Sequence, residues 1–271
     1  KAKFSVTGHG TLAKRQVGPV EAPMKSLGAR CRTADGLLPV EVRGPMRGGR
    51  AKLDGSRGSQ FLSGLLMALP VCPEDSELAV AGLKSKPYAL MTIDLAKKFG
   101  AKVSCDKKLS SFAIAGGHTL KPTRAAVEGD WSAAAFLLVA GALAGSVTVD
   151  DLDLKSQQAD RAILAVLKTA GAKVKTARGS VTVGRAPLEG FDFDATDCPD
   201  LFPPLVALAT GCKGASAISG ASRLRGKESD RAAALCRQFK NLGADIKTAD
   251  DAIVVRGIQF RDGAPLGGQP R

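Results

Sequence analysis

The chain has 271 residues, a formal net charge of +13, 44% hydrophobic residues and only 4% aromatics, at a mean hydropathy of +0.01. That is enough apolar sequence for two cores, the usual expectation at this length, and the positive charge runs through the whole chain, which points to anionic small molecules or nucleic acid as ligands. One Trp and one Tyr exclude the stacking platforms that grip single strands, while backbone binding to a duplex stays open at this stage.

Six cysteines, at 31, 72, 105, 198, 212 and 236, form no C-x-x-C pair, and most sit in apolar or helical patterns, so reduced core thiols in a cytoplasmic protein are expected. His9 and His118 are too isolated for a zinc site, and no metal or cofactor is expected. The longest apolar runs, 61–71 and 133–144, are shorter than a bilayer-spanning helix, so a soluble protein without a membrane partner is expected.

In chain order, the elements repeat. Met24-Lys-Ser-Leu-Gly-Ala-Arg-Cys31, Ala96-Lys-Lys-Phe-Gly-Ala-Lys-Val103, Leu167-Lys-Thr-Ala-Gly-Ala-Lys-Val174 and Phe239-Lys-Asn-Leu-Gly-Ala-Asp-Ile246 share one pattern. Gly28, Gly100, Gly171 and Gly243 are each predicted to end an amphipathic helix in a left-handed cap, with strands following. Two short strands come next, as in 101–105 with 110–115 and 244–248 with 252–256. A small-residue-rich helix and a strand precede each capped helix, the strands being Ser76–Ala81, Ser146–Asp150 and Ala215–Ser219. The unit reads βαβαββ over roughly seventy residues. Complete units are predicted at 49–117, 124–184 and 190–257, and the segment from Lys1 to Gly44 reads as the later part of a fourth. A unit entered midway suggests a piece of a longer protein. A hinge near Lys121-Pro-Thr-Arg-Ala125 divides the chain into 1–122 and 123–271, each part of one domain, and the Gly/Pro-rich residues 261–271 read as loop or tail.

Basic and hydroxyl residues recur at predicted helix starts: Lys14-Arg15, Gly55-Ser-Arg-Gly-Ser-Gln-Phe61 and Lys84-Ser-Lys-Pro-Tyr88. Later starts carry Glu128-Gly-Asp-Trp-Ser132, Asp197-Cys-Pro-Asp200 and Arg223-Leu-Arg-Gly-Lys-Glu-Ser-Asp-Arg231, the last feeding a helix expected from Lys227 or Glu228. Unpaired N–H groups and the positive dipole end, joined by Arg223, Lys227 and Arg231, suit a polyanion. Glu228, an acid among cations, is a candidate proton carrier. Simple helix capping is the alternative for the hydroxyl residues and for Asp200. Gly55–Gln60 lacks a following Lys-Ser/Thr pair, which argues against a P-loop.

The runs Gly55-Ser-Arg-Gly-Ser-Gln-Phe-Leu-Ser-Gly-Leu-Leu-Met-Ala68, Ser85-Lys-Pro-Tyr88, Val127-Glu-Gly-Asp-Trp-Ser-Ala-Ala134, Pro199-Asp200 and Lys227-Glu-Ser-Asp-Arg231, in this order, resemble the 5-enolpyruvylshikimate-3-phosphate synthases, also called 3-phosphoshikimate 1-carboxyvinyltransferases. The resemblance covers Lys3 to about Gly257. It implies an α/β fold of six βαβαββ units in two inverse α/β barrel domains, and transfer of the enolpyruvyl group of phosphoenolpyruvate to the 5-hydroxyl of shikimate 3-phosphate, with release of phosphate. It also implies the shikimate pathway to chorismate and aromatic amino acids, no cofactor, small anionic substrates as the only partners, no nucleic acid, and a monomer when complete.

By the same resemblance, Asp200 accepts the proton of the attacking hydroxyl and Glu228 exchanges a proton with the phosphoenolpyruvate methylene. Ser59, Gln60, Ser85, Tyr88, Asp200 and Lys227 would hold shikimate 3-phosphate, and Arg15, Gln60 and Arg231 would hold phosphoenolpyruvate. The chain departs from the family pattern at Gly58, where a serine is usual, at Gln16, where Pro is common, and at Arg223, where a polar amide is common. It has no counterpart of the family's N-terminal Lys-Ser segment, later Asp-His-Arg segment or final Lys, so the 271 residues alone are expected to turn over little or not at all. UDP-N-acetylglucosamine enolpyruvyl transferase and a basic nucleic-acid-binding repeat protein are the alternatives.

Overall fold

The computed structural model describes residues 3–225 and 230–257. The chain forms two compact units, Lys1–Ala125 and Ala126–Arg271, so the division falls three residues beyond the position expected from the sequence. In the first unit, β1 (Lys3–Val6), β2 (Arg30–Ala34) and β3 (Leu37–Arg43) form an antiparallel sheet in the order β1-β3-β2, with a 3-10 turn at Gly10–Lys14 and helix α1 (Glu21–Ser26) between β1 and β2. There follow β4 (Gly49–Asp54), α2 (Gln60–Ala68), β5 (Ser76–Ala81), α3 (Lys86–Lys98), β6 (Val103–Cys105) and β7 (Ser111–Ile114), whose strands order β4-β5-β7-β6. Only β4 and β5 of that sheet run parallel.

The second unit opens with α4 (Trp131–Ala144), β8 (Ser146–Asp150), α5 (Ile163–Thr169), β9 (Lys173–Ala177) and β10 (Ser180–Gly184), giving a three-stranded antiparallel sheet β8-β10-β9. It continues with β11 (Asp192–Asp194), α6 (Phe202–Thr210), β12 (Ala215–Ser219), α7 (Arg231–Asn241), β13 (Asp245–Ala249) and β14 (Ala252–Arg256), in the order β11-β12-β14-β13, with β11 and β12 parallel. The sequence repeat is therefore a structural repeat: β4 to β7 and β11 to β14 are the same βαβαββ unit.

The four glycines explain why the pattern recurs. Gly28, Gly100, Gly171 and Gly243 have φ of 90°, 92°, 91° and 87°, a region costly for a residue with a Cβ. Each donates to the carbonyl three residues back, and the following alanine to the carbonyl five back: Gly28 to Lys25 and Ala29 to Met24, Gly100 to Lys97 and Ala101 to Ala96, Gly171 to Lys168 and Ala172 to Leu167, Gly243 to Lys240 and Ala244 to Phe239, all at 2.9–3.0 Å. This double bond is the Schellman closure, which satisfies the last helix carbonyls and turns the chain into the next strand. Strand alternation supplies the core: Ser76, Leu78 and Val80 of β5 are buried while Glu77, Ala79 and Ala81 are exposed. The first core centres on Leu66, Leu78, Phe112 and Ile114, the second on Trp131, Leu138, Ile163 and Phe202. Each buried phenylalanine contributes roughly 1.5–3 kcal/mol by leaving water. Trp131 is fully buried and donates its ring N–H to the Asp153 carbonyl at 3.1 Å, so its one polar atom is satisfied.

Three expectations need correction. The unit predicted at 124–184 has no first strand: residues 115–130 hold no helix or strand, Pro122 removes a ladder donor, and Val127 is 99% exposed. Lys14 and Arg15 do not start a helix; they end the 3-10 turn, and α1 begins at Glu21. Helix α7 starts at Arg231 rather than at Lys227 or Glu228, because Asp230 is its N-cap and accepts from Ala233 N–H at 3.0 Å. Of the cysteines, 72, 198 and 212 are buried, 31 and 236 half-buried, and Cys105 is exposed, so that one is no core thiol. Among the described residues no helix is long and apolar enough to cross a membrane. The predicted tail at 261–271 lies outside them.

Candidate functional site

Most of the singled-out residues stand where a parallel strand pair ends and helices begin. In the first unit, Gly55 follows β4 and donates to the Ala81 carbonyl at the end of β5 at 2.8 Å. Its own carbonyl accepts from Gly58 and from Lys84, both at 3.1 Å. Asp54 Oδ1 accepts from Ser56 N–H at 2.9 Å. The Ser56 hydroxyl, its N–H and the nearby Arg57 hold the Asp54 carboxyl below its ordinary range. These bonds zip the 54–59 loop to the 82–85 loop, so Ser59 and Gln60 at the start of α2 and Ser85 at the start of α3 are brought to one edge of the sheet. A Cβ at Gly55 would lie 2.7 Å from Leu83 Cα, so only glycine allows the loops to meet this closely.

Ser59 and Ser85 are both buried, and Gln60 is exposed. Neither serine caps its helix with its side chain, which removes the simple capping reading for both. Ser85 has φ 55°, ψ 42°, a left-handed conformation that costs a non-glycine residue of order 1–2 kcal/mol. Pro87 in the first turn of α3 carries no N–H to leave unsatisfied. Tyr88, half-buried, lies one turn further along, its carbonyl accepting from the Thr92 hydroxyl at 2.9 Å, while that hydroxyl's oxygen is 3.0 Å from the Ser63 hydroxyl of α2, which is left to donate to it. Gly58, where the family pattern has a serine, sits at φ 144°, a backbone setting that favours glycine. Arg15 lies on the connection that follows β1 of the three-stranded sheet, directly after the 3-10 turn.

The second unit repeats the bonds of this turn except that of Lys84, whose counterpart Ser222 donates its N–H to Asp251 Oδ1 instead. Ala195 donates to the Ser219 carbonyl at 3.0 Å, as Gly55 does to Ala81, and Cys198 donates to the Ala195 carbonyl at 3.1 Å, as Gly58 does to Gly55. Thr196 N–H reaches Asp194 Oδ1 at 2.9 Å, as Ser56 reaches Asp54. The strand registers agree, since Asp54 faces Ala81 and Asp194 faces Ser219. Counting from these aspartates, Gln60 and Asp200 occupy the same place; counting from their register partners Ala81 and Ser219, so do Ser85 and Arg223.

Asp200 lies in a 3-10 turn, Pro199–Leu201, ahead of α6. It does not cap the helix with its carboxylate; its Oδ1 instead accepts from Arg231 Nη1 at 2.9 Å. The two side chains are half-exposed, at 51% and 37%. Arg223 is 8% exposed and its Nε donates to the Thr196 carbonyl at 3.2 Å. Burial lowers its pKa, an effect opposed by the nearby Asp197 carboxylate. Beside it, the Cys198 thiol is pushed up to about 12, chiefly by burial and then by the carboxylates of Asp160, Asp197, Asp194 and Asp200. Lys227 and Glu228 lie outside the described residues. The sequence reading passes over Asp54 and Asp194, which shape both turns; the signal was the run Asp-Gly-Ser in one unit and Asp-Ala-Thr in the other.

The EPSP synthase (3-phosphoshikimate 1-carboxyvinyltransferase) family pattern matches residues 1–266. The chain is 36% identical over 267 residues to the 3-phosphoshikimate 1-carboxyvinyltransferase of Methanocaldococcus jannaschii, covering 96% of this chain and 62% of that protein. It is 38% identical over 257 residues to that of Methanothrix thermoacetophila, covering 93% and 60%, and 35% identical over 259 residues to that of Clostridium perfringens, covering 95% and 61%. The chain thus spans about three fifths of the length of the curated relatives it matches. Among solved structures, the EPSP synthase of Acinetobacter baumannii superimposes with a TM-score of 0.73 at 23% identity, over 95% of this chain and 60% of that one. The enolpyruvyl transferase NikO of Streptomyces tendae does so with a TM-score of 0.65 at 18% identity, over 90% and 59%. The α/β fold of these neighbours is the fold of this chain.

Proposed function

Because this chain belongs to the EPSP synthase (3-phosphoshikimate 1-carboxyvinyltransferase) family, we propose that it serves the transfer of the enolpyruvyl group from phosphoenolpyruvate to the 5-hydroxyl of shikimate 3-phosphate. Phosphate leaves. Asp200 accepts the hydroxyl proton as the oxygen attacks, and Glu228 exchanges a proton with the methylene carbon, the two acting as general base and acid. Ser59, Gln60, Ser85, Tyr88 and Lys227 recognise shikimate 3-phosphate. Arg15, Gln60 and Arg231 take the carboxylate and phosphate of phosphoenolpyruvate, for which guanidinium offers two-point donors.

The observation that carries this reading is the repeated turn: it presents Gln60 in one unit and Asp200, beside Arg231, in the other, at the carboxyl ends of parallel strand pairs, where α/β folds commonly bind ligands. In keeping with the chain's share of its relatives' length, we propose that it supplies these groups to the reaction and that its 271 residues alone turn over little. Titrating shikimate 3-phosphate and a UDP-N-acetylglucosamine competitor against the purified chain tests the substrate. Saturable binding of shikimate 3-phosphate that the UDP-sugar does not displace is expected; preference for the UDP-sugar would move the chain to the sister activity.

A further inference from the structure

Cations run through the whole chain, but their excess does not. The first unit, Lys1–Ala125, has 21 Lys and Arg against 9 Asp and Glu, and the second has 18 against 17, so nearly all of the net charge lies in the first. Part of that excess stands on one face of the sheet β1-β3-β2. The antiparallel register sets Lys3 beside Arg43 and Arg43 beside Arg30, and in the next row on that face Ser5 beside Glu41 and Glu41 beside Arg32. Register partners share a face, so four cations and one carboxylate project from it, while Phe4, Val40, Val42 and Cys31 belong to the other side. Like charges directly opposite one another weaken a sheet, and here three occupy one row. We propose that this face is a docking surface for the phosphate backbone of a duplex nucleic acid, separate from the substrate residues and independent of the proposed function.

The charges on this face are available. Lys3, Arg30, Arg32 and Arg43 are all exposed. Lys3 Nζ pairs with Glu41 Oε1 at 2.7 Å, which engages the one acid on the face. Among the described residues no side-chain hydrogen bond or ion pair engages Arg30 or Arg43, and Arg32 has only the longer-range attraction of Glu21, whose carboxylate already accepts from the Thr33 N–H and hydroxyl at 2.6 Å. The spacing suits a chain of phosphates. Neighbouring strands lie about 4.8 Å apart and alternate residues of one strand about 7 Å apart, so the three exposed guanidiniums form an open triangle, on which a single small ion would be held weakly. A polyanion gains instead by releasing condensed counterions at every contact, and each guanidinium offers a phosphate two donors. Duplex rather than single strand follows from the residues present, since no aromatic side chain stands on this face for a base to stack on. A membrane surface would ask for apolar residues beside the cations, and Lys3, Ser5, Arg30, Arg32, Glu41 and Arg43 include none.

The test is fluorescence anisotropy of a short labelled DNA duplex, and of the same duplex in RNA, titrated with the purified chain across a series of salt concentrations. Three arginine contacts predict that log affinity falls with log salt at a slope of about −3, near 0.9 per phosphate. Arg30→Gln/Arg43→Gln should bring the slope to about −1 and weaken binding roughly tenfold per lost contact at about 0.1 M salt. Circular dichroism verifies folding, and Arg43→Gln alone serves if the double variant misfolds, with the loss of one contact expected. Lys97→Gln/Lys102→Gln, at the end of α3 and just before β6, removes the same charge elsewhere in the unit and should leave the slope as in wild type. No binding of either duplex, an unchanged slope in the arginine variant, or an equal loss in the lysine variant overturns the proposal. So does displacement of the duplex at constant ionic strength by inorganic phosphate, which would make the face a single-anion site, or by shikimate 3-phosphate, which would put the duplex among the substrate residues. Vesicles of anionic phospholipid that bind through the same arginines while neither duplex binds would identify a membrane partner and overturn it as well. Preference for one duplex says whether DNA or RNA is carried, and either supports the proposal.

Discussion

The turns 54–60 and 194–200 share a backbone and differ in what they present. Both are fixed by an aspartate accepting from the N–H two residues on, by a bond to the end of the neighbouring parallel strand, and by a tight internal bond. On that common frame the first carries Gly-Ser-Arg-Gly-Ser-Gln and the second Ala-Thr-Asp-Cys-Pro-Asp. One offers hydroxyls, an amide and a cation; the other offers carboxylates. Duplicating a turn duplicates a place to put chemistry, and substituting within it decides which chemistry. The first turn gathers polar and cationic side chains, while the acidic second turn holds Asp200 paired with Arg231.

The largest effect expected from breaking this contrast is at Asp200. In the catalytically competent protein, Asp200→Asn makes the acidic turn resemble the amide-bearing one. It should lower turnover about 10²–10⁴-fold, the usual worth of a general acid–base group, with shikimate 3-phosphate affinity changed far less. Phosphate release under saturating substrates reads the first quantity and titration the second; equal loss in both would make Asp200 a binding group only.

Next comes Gly55, whose counterpart is Ala195. Gly55→Ala drives a Cβ into Leu83 Cα and should cost about 1–3 kcal/mol by overpacking, whereas Ala195→Gly should cost about 1 kcal/mol or less. Chemical unfolding of the two variants compares them, and equal costs would show that the close approach of Leu83 to Gly55 does not demand a glycine there.

Ser85→Gly relieves a left-handed backbone and should stabilise the fold by up to about 1 kcal/mol, while weakening shikimate 3-phosphate binding through loss of the hydroxyl. A variant that is stabilised yet binds as well as wild type would show that the strain at Ser85 serves no ligand.

The smallest effect reports on the acidity of the second turn. With its thiol pushed up to about 12 by burial and four carboxylates, Cys198 should be roughly one part in ten thousand thiolate at pH 8 and resist alkylation, while exposed Cys105 is modified. Removing a neighbouring charge in Asp194→Asn should lower the Cys198 pKa slightly, since fewer negative charges oppose the thiolate. Rapid labelling of Cys198 in folded wild type, followed by mass spectrometry, would contradict this.

What could be read from the sequence follows the range of the interactions involved. The capped helices were legible because a Schellman turn needs a glycine at one position and apolar residues close by, as at Gly100 and Gly243. The strands Ser76–Ala81, Ser146–Asp150 and Ala215–Ser219 were legible from alternation and β-branched residues. The missing first strand before α4 was not, because the repeat predicted a strand from its neighbours while pairing is a tertiary event that residues 115–130 do not enter. The start of α7 was misread because Lys227 to Asp230 offers several plausible first-turn residues, and the Asp230 cap wins only in three dimensions. Motif resemblance singled out Asp200 and Arg231 separately, but their bond spans 31 residues and no local pattern announces it.

The account's central claim is that the turns at the ends of the parallel pairs recognise the phosphorylated acceptor. Calorimetric titration of shikimate 3-phosphate into wild type, Gln60→Ala and Ser85→Ala, each shown to be folded, tests it most directly. The account predicts saturable one-to-one binding to wild type and about tenfold or greater weakening in each variant, as expected when a hydrogen bond to a charged ligand is removed. Binding of equal strength in all three, or no binding to wild type, would contradict it.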